Sequence, residues 1–436
     1  MTAPKTYHVK SFGCQMNVYD GERMAELLSA QGMTSTDAAT ADLVLLNTCH
    51  IREKAADRAY SDVGRLRRKD GSRPLIALAG CVAQAEGEEA KRRTKMIDMV
   101  VGPQAYHRLP EMVAAAAAGS RPVDTDMPAI SKFDVLPARR RSGPSAFLTV
   151  QEGCDRFCTY CVVPYTRGAE VSRSAADIVA EANALATGGA REITLLGQNV
   201  NAWSDGSAGL DHLIHAIARI EGVERIRYMT SHPTDMTNAL IAAHADVPEL
   251  MPYLHLPVQA GSDRILKAMN RSHSADSYLR TIEKVRLARP DIAISGDFIV
   301  GFPGETEADF EATLNIIDEV RYAAAYSFKY SPRPGTPAAT MPDQIPAEVM
   351  DERLQRLQAR LAHHSLAFNR ATVGKTTTIL IDRKGRLPGQ MIGKTPWLQS
   401  VFVATGAVIG DMVDVVTTAA LPNSLAGVLA TAKTAA

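Results

Sequence analysis

The chain has 436 residues and a mass of 47.0 kDa, too long for one compact core and the size of two or three ordinary domains. With 46% hydrophobic and 22% charged residues and a mean hydropathy of -0.10, it has the composition of packed globular domains, which excludes a largely disordered or collagen-like chain. Lys plus Arg and Asp plus Glu are both 48, so net charge argues against a strongly basic nucleic-acid binder while leaving room for a local basic face.

In chain order, Tyr7 to Phe12 predicts a strand, Asp20 to Gln31 a helix, Leu43 to Leu46 a buried strand, Arg52 to Lys69 a helix and Leu75 to Ala79 another strand. That alternation predicts a parallel α/β sheet domain over residues 5–120, closing on a helix that ends at Ala114 to Ala118. The Pro-rich stretch Pro122 to Pro144, carrying Arg139, Arg140 and Arg141, reads as a linker. Residues 140–371 supply strands at Ala146 to Val150, Glu192 to Leu196, Arg225 to Met229, Tyr253 to Val258, Ile292 to Val300 and Ala323 to Tyr330. Helices lie between them at Ala176 to Ala186, Leu210 to Ile220, Ser277 to Ala288 and Glu307 to Val320, and Glu348 to Asn369 closes the section. This is the pattern of a (βα)6 partial barrel, whose functional groups belong at the strand C-termini. In residues 372–436 the runs Thr376 to Ile381, Gln399 to Ala404, Met412 to Thr417 and Gly427 to Leu429 predict a small antiparallel β-barrel. The fold class is therefore α/β with a C-terminal all-β module.

No apolar run reaches the ~20 residues a bilayer span needs. The N-terminus lacks the apolar stretch and small-residue cleavage site of a signal peptide, which predicts a cytoplasmic chain with reduced cysteines. Basic clusters at Arg65, Arg67, Arg68 and Lys69 and at Lys91, Arg92, Arg93 and Lys95 read as solvated faces.

The strongest chemical signal is Cys154, Cys158 and Cys161, a CxxxCxxC spacing just after the first strand of the second section. Three thiolates on one tight loop can hold one inorganic centre, and three is one ligand short of a closed tetrahedral site. A zinc site or an inert cysteine group is the alternative, but His107 and His212, the nearest histidines in sequence, are not at metal-ligand spacing.

CxxxCxxC at the top of a six-strand barrel resembles the radical S-adenosylmethionine enzymes. The resemblance implies that Cys154, Cys158 and Cys161 hold a four-iron, four-sulfur (4Fe-4S) cluster whose fourth iron chelates S-adenosylmethionine. Tyr160 and Phe157 would then pack around that cluster.

The other cysteines form a second pattern. Cys14, Cys49 and Cys81 each follow a predicted strand of the first section, and in a parallel sheet those ends share one edge. Singly, each would more often be a buried apolar filler; three equivalent positions read as ligands of a second cluster.

Two such triplets in α/β sections followed by a β-barrel resemble the methylthiotransferase family over essentially the whole chain. The strings that carry the likeness are Ser11 to Asn17, Asn47 to Arg52, Ala79 to Gln84 and Glu152 to Arg173, joined by Leu196 to Asn201. They are most similar to the subgroup that methylthiolates C2 of isopentenylated adenosine at tRNA position 37, just 3′ of the anticodon. The likeness implies two 4Fe-4S clusters, S-adenosyl-L-methionine as methyl donor and radical source, and a TRAM-like C-terminal module that grips the anticodon arm of tRNA. It also implies an electron donor such as flavodoxin or ferredoxin, sulfur- or cluster-supply proteins as partners, no membrane and a monomer.

It places cofactor contacts at or just past strand ends, on Gly197, Gln198, Ser231, Gln259 and Asp297; a turn or cap explains each about as well. Gly301 to Thr306 lacks the Lys-Ser/Thr of a P-loop and reads as a strand-to-helix turn with Thr306 as N-cap. Two other readings stand beside this one. The same chemistry could act on threonylcarbamoyl-adenosine in tRNA or on a ribosomal-protein aspartate, or the chain could be a non-enzymatic iron–sulfur RNA-binding sensor.

Overall fold

The computed structural model describes residues 3–50, 53–127, 132–137, 139 and 143–430. The chain divides into two compact units, Met1–Arg139 with Glu152–Phe157 and Cys161–Val171, and Arg140–Gln151 with Cys158–Tyr160 and Ser172–Ala436.

The first unit is built on a parallel sheet whose strands lie in the order Thr34–Ser35, Thr6–Ser11, Leu43–Thr48, Leu75–Gly80, Met99–Val101, Val123–Asp124. Leu43–Thr48 and Leu75–Gly80 are buried at every residue, as unbroken apolar runs must be when helices cover both faces. Strand alternation sends Leu43, Leu45, Leu75 and Ala77 to one face, against Met24, Leu28, Leu109 and Met112. Val44, Leu46, Ile76 and Leu78 go to the other, against Ala59, Val63 and Val82.

The stretch read as a linker is partly structural. Lys132 and Arg139 are buried, at 1% and 8% exposure, and Arg139 pairs with Glu22 at 2.8 Å and Glu26 at 3.2 Å. The linker reading fails at Arg139 because the two glutamates on the helix Gln15–Ala30 supply countercharge and hold it down; Arg140 and Arg141 lie outside the described residues.

In the second unit six parallel strands follow one another as two three-stranded sheets. Ser145–Thr149, Glu192–Leu196 and Arg225–Tyr228 form one; Tyr253–His255, Ala293–Val300 and Ala324–Lys329 form the other. Each strand is followed by a helix, the last being Ala347–Arg370, so the arrangement is a partial (βα)6 barrel around one continuous core. Thr306 caps the helix Glu307–Val320 in a reciprocal box with Asp309, as its place in the turn predicts.

The C-terminal strands Thr376–Lys384, Gln390–Lys394, Ser400–Ala404, Met412–Leu421 and Ser424–Leu429 close into a five-stranded barrel around Ile379, Ile381, Val401, Val403, Val415 and Leu425. One of its pairings, Ser400–Ala404 with Ser424–Leu429, is parallel. Buried arginines of the strand Arg225–Tyr228 seat the barrel within this unit. Arg225 donates to the carbonyls of Lys394 at 2.8 Å and Thr378 at 2.7 Å, and Arg227 to those of Pro396 at 2.7 Å and Thr395 at 2.9 Å. Among the described residues no helix is long and apolar enough to cross a membrane.

Candidate functional site

In the first unit Thr6–Ser11, Leu43–Thr48 and Leu75–Gly80 are neighbouring parallel strands. Cys14, Cys49 and Cys81 stand just beyond their C-terminal ends, so the three thiols share the sheet edge at which open α/β folds hold ligands. Cys49 and Cys81 are buried at 1% and 7% exposure, and Cys14 is half-buried.

Two glycines let the edge close up. Gly80, at φ +85°, would carry a Cβ only 2.4 Å from Asn47 Oδ1 and 2.6 Å from the Thr48 carbonyl. Gly13, at φ +108°, lies against Cys49 in the same way.

Polar side chains lace the strand ends together. The Cys14 thiol donates to Asn17 Oδ1 at 2.9 Å, and Asn17 Nδ2 donates to Asn47 Oδ1 at 3.2 Å and to the Thr48 carbonyl at 3.0 Å. Asn47 Nδ2 returns to the Asn17 carbonyl at 2.6 Å, and Thr48 Oγ1 donates to the Ala79 carbonyl at 2.7 Å. The signal for Asn47 and Thr48 is in the sequence: two polar residues end an otherwise apolar buried strand.

The Cys49 thiol hydrogen-bonded to Cys14, together with burial, pushes the Cys14 thiol well up, and Arg167 opposes the shift. Burial likewise raises Cys81 against the pull of Arg167. Three soft sulfur donors set at one edge, two of them held from ionising by burial, fit a thiolate-ligated iron–sulfur group. Among the described residues no three His, Cys, Asp or Glu side chains converge as closely as one metal ion requires; a four-iron cluster binds each cysteine to a different iron and spreads its ligands.

Behind this edge lies a buried ion network that local sequence patterns do not reveal. Arg167 donates through Nη2 to Asp20 Oδ2 at 2.6 Å and through Nη1 to Glu152 Oε1 at 3.0 Å. Lys132 Nζ reaches the same Glu152 oxygen at 2.7 Å and stands 3.6 Å from Asp20 Oδ1. Gln104 Nε2 donates to Glu152 Oε2 and to the Arg167 carbonyl, both at 3.0 Å.

Of the CxxxCxxC stretch, Cys154 and Cys161 belong to the first unit and Cys158 to the second. The Cys154 amide donates to the Gly168 carbonyl at 3.3 Å. Gly153, at φ +74°, approaches so closely that a Cβ would lie 1.9 Å from the Ala169 carbonyl oxygen. Cys161 Sγ accepts from the Val163 amide at 3.5 Å, and Cys158 Sγ from Arg271 Nη1 at 3.8 Å. Cys161 and Cys158 Sγ thus each face an N–H donor. Tyr160 packs against the core around Phe302 and Tyr330, whereas Phe157 is 56% exposed at φ +47°.

Within the second unit Gly197, Gln198, Ser231 and Gln259 follow barrel strands, whereas Asp297 lies inside the strand Ala293–Val300 and not at its end as expected. Gly197 directly follows Glu192–Leu196, and Gln151 Oε1 accepts from the amides of Gln198 at 2.9 Å and Asn199 at 3.1 Å. Ser231 is buried with an Oγ that has no hydrogen-bond partner in the protein. Gln259 sits at φ +76° and its amide donates to the Asp297 carbonyl at 3.0 Å; the Asp297 carboxylate lies 3.6 Å from His255 Nε2. On the helix Glu88–Arg93, exposed Arg92 pairs with Glu89 as a solvated helix charge does, whereas Lys91 is largely covered, pairing with Glu88 and donating to the Arg121 carbonyl at 2.8 Å.

Residues 6–102 match the family described as Uncharacterized protein family UPF0004, residues 148–317 the radical SAM superfamily, and residues 370–430 the TRAM domain. The chain is 69% identical over 433 residues to the tRNA-2-methylthio-N(6)-dimethylallyladenosine synthase of Sphingopyxis alaskensis, covering 97% of each chain. It is 67% identical to the protein of that name from Novosphingobium aromaticivorans, covering 98% of each, and 65% identical to that of Zymomonas mobilis, covering 97% of this chain and 96% of the relative.

Among solved structures, the radical S-adenosylmethionine methyltransferase TsrM from Kitasatospora setae aligns with a TM-score of 0.57 at 15% identity over 77% of each chain. The cobalamin-dependent S-adenosylmethionine radical enzyme OxsB aligns at 0.53 and 11% identity, over 83% of this chain and 56% of its own. These share the fold. The fold and the matched regions are those of a radical S-adenosylmethionine enzyme with an added N-terminal domain and a TRAM barrel. Within that class the chain belongs to the family of tRNA-2-methylthio-N(6)-dimethylallyladenosine synthases.

Proposed function

We propose that this protein methylthiolates C2 of N6-isopentenyladenosine at position 37 of tRNA, giving 2-methylthio-N6-isopentenyladenosine, with S-adenosylmethionine as both methyl donor and radical source. The observation that carries the reading is the alignment of Cys14, Cys49 and Cys81 at three neighbouring strand ends in a chain that also has a radical SAM cysteine triplet. The aromatic C2–H bond is not acidic enough for a side-chain base, so a radical route is the physically reasonable one.

In this reading residues 5–120 form the domain whose Cys14, Cys49 and Cys81 hold one 4Fe-4S cluster. Residues 140–371 form the radical domain, with Cys154, Cys158 and Cys161 on the other cluster, and residues 372–436 form the TRAM domain. Bound there, the two clusters and S-adenosylmethionine supply the electron, the radical, the sulfur and the methyl group.

The chain itself does the positioning. Each triplet would hold a four-iron cluster one protein ligand short, and Gly13, Gly80 and Gly153 allow the close backbone approaches that set the thiols. Burial of Cys49, Cys81 and Cys158 excludes water. Gly197, Gln198, Ser231, Gln259 and Asp297 line the S-adenosylmethionine site, where the unpartnered Ser231 hydroxyl offers a hydrogen bond to a polar ligand atom.

On the TRAM barrel, exposed Lys375, Arg383, Lys384 and Arg386 give phosphate contacts to the anticodon arm. The setting is cytoplasmic and the protein monomeric, with a flavodoxin- or ferredoxin-type electron donor and sulfur- or cluster-supply proteins as partners. Nucleoside mass spectrometry of tRNA from a host lacking its own methylthiotransferase, with and without this gene, tests the reading. 2-Methylthio-isopentenyladenosine should appear at the expense of isopentenyladenosine; identical tRNA pools with iron-loaded protein present would refute the substrate.

A further inference from the structure

We propose that the buried network of Asp20, Arg167, Glu152 and Lys132 sets Cys154 and Cys161 in register with Cys14, Cys49 and Cys81, with Arg167 as its positioning residue. The proposal rests on the cluster assignment made above.

Connectivity is the first argument. Asp20 lies on the helix Gln15–Ala30 that Cys14 opens as N-cap. Glu152 lies two residues before Cys154, and Arg167 ends the helix Val163–Arg167, whose first amide is bonded to Cys161 Sγ. A single guanidinium therefore ties the helix that follows one cysteine to the segments that flank two others, all inside one compact unit.

Energetics is the second. Asp20, Lys132, Glu152 and Arg167 are 1%, 1%, 3% and 3% exposed, and their formal charges cancel. Four desolvated ions add little net stability over apolar side chains of the same size, while any displacement that unpairs one of them is heavily penalised. Such a network serves to specify one arrangement.

Geometry is the third. Arg167 spends its two terminal nitrogens on two different carboxylates, and the planar fork fixes their relative directions as an ammonium cannot. Gln104 adds bonds to both Glu152 and the Arg167 carbonyl. The same guanidinium is electrostatically coupled to Cys14 and Cys81 of the first set, while the helix it ends opens at the amide bonded to Cys161 Sγ of the second.

The test compares wild type, Arg167→Lys and the double variant Asp20→Asn/Arg167→Met. The double variant removes one charge of each sign and leaves Lys132 paired with Glu152, so it keeps the interior charge balance that Arg167→Met alone breaks. Iron per chain, methylthiolated product per 5′-deoxyadenosine, the magnetic interaction between the two reduced clusters by electron paramagnetic resonance, and hydrogen exchange over residues 152–171 are measured.

Iron content should hold in the double variant while product per deoxyadenosine falls about tenfold or more, the size expected for misplaced reacting groups. The inter-cluster interaction should change and exchange over 152–171 should quicken, with Arg167→Lys intermediate. Unchanged coupling and spectra, or losses that only track iron content, overturn the proposal alone. A wild-type chain lacking either cluster overturns the assignment and the proposal together.

Discussion

Gly13 and Cys49 approach so closely that a Cβ built on Gly13 would stand 2.2 Å from the Cys49 Cβ and 3.1 Å from its sulfur. A side chain at position 13 must displace a proposed ligand and also adopt φ +108°, which L residues avoid. Gly13→Ala is therefore expected to lower iron from about eight to about four atoms per chain while 5′-deoxyadenosine still forms. Gly32→Ala is the control, since φ is +81° there but nothing lies within 4 Å. It should lose some stability and no iron; equal iron loss in both would show that backbone strain, not ligand displacement, is responsible.

The two cysteine sets should separate by readout. Cys154→Ala is expected to abolish 5′-deoxyadenosine formation, because that loop lies in the region matching the radical SAM superfamily. Cys49→Ala should still form it but yield no methylthiolated tRNA. Liquid chromatography of deoxyadenosine beside nucleoside mass spectrometry distinguishes them, and full activity in either variant removes that cysteine from the site.

Much of this was legible in the sequence, for physical reasons. Leu43 to Leu46 and Leu75 to Ala79 are apolar runs that only a doubly covered strand explains, and the cysteines after them mark the sheet edge directly. The strand Gln390–Lys394 left no such trace, having only Met391 and Ile392 as apolar residues. Its Gly393 is there for close packing, since a Cβ would lie 2.7 Å from the Leu380 carbonyl. The helix Gln15–Ala30 begins before the expected Asp20 because Cys14 caps it without a side-chain hydrogen bond, so no capping signature announces it. The ion network was out of reach of local pattern: Asp20 and Arg167 are 147 residues apart.

Arg227 donates through Nε to Glu192 Oε2 at 2.9 Å and holds two carbonyls of the C-terminal barrel. Both side chains are almost wholly buried, so Arg227→Met leaves the carboxylate with only the weaker contacts of Arg225 at 4.0 Å and Ser145 at 3.4 Å. The expected loss is about 3–5 kcal/mol in urea unfolding. Glu192→Gln/Arg227→Met removes the stranded charge and should recover at least ~1 kcal/mol of it. A double variant no more stable than the single would mean that the barrel carbonyls, rather than Glu192, dominate.

His244 gives a pH dependence with a definite sign. Burial, with Arg289 adding repulsion, lowers its pKa from the ordinary 6.5 to about 4, and Nε2 sits 2.7 Å from the buried Tyr228 hydroxyl. Below pH 6.5 the unfolded chain takes up a proton that the folded chain refuses until about pH 4. The stability tied to neutral His244 is thus complete above 6.5 and is lost as pH falls from there through about 4, to a total of about 3 kcal/mol. His244→Gln keeps a polar group beside Tyr228 and removes the titration. Between about pH 7 and 5 the wild type should lose roughly 2 kcal/mol more than this variant in urea unfolding; parallel pH profiles would show that His244 is not held neutral in the fold.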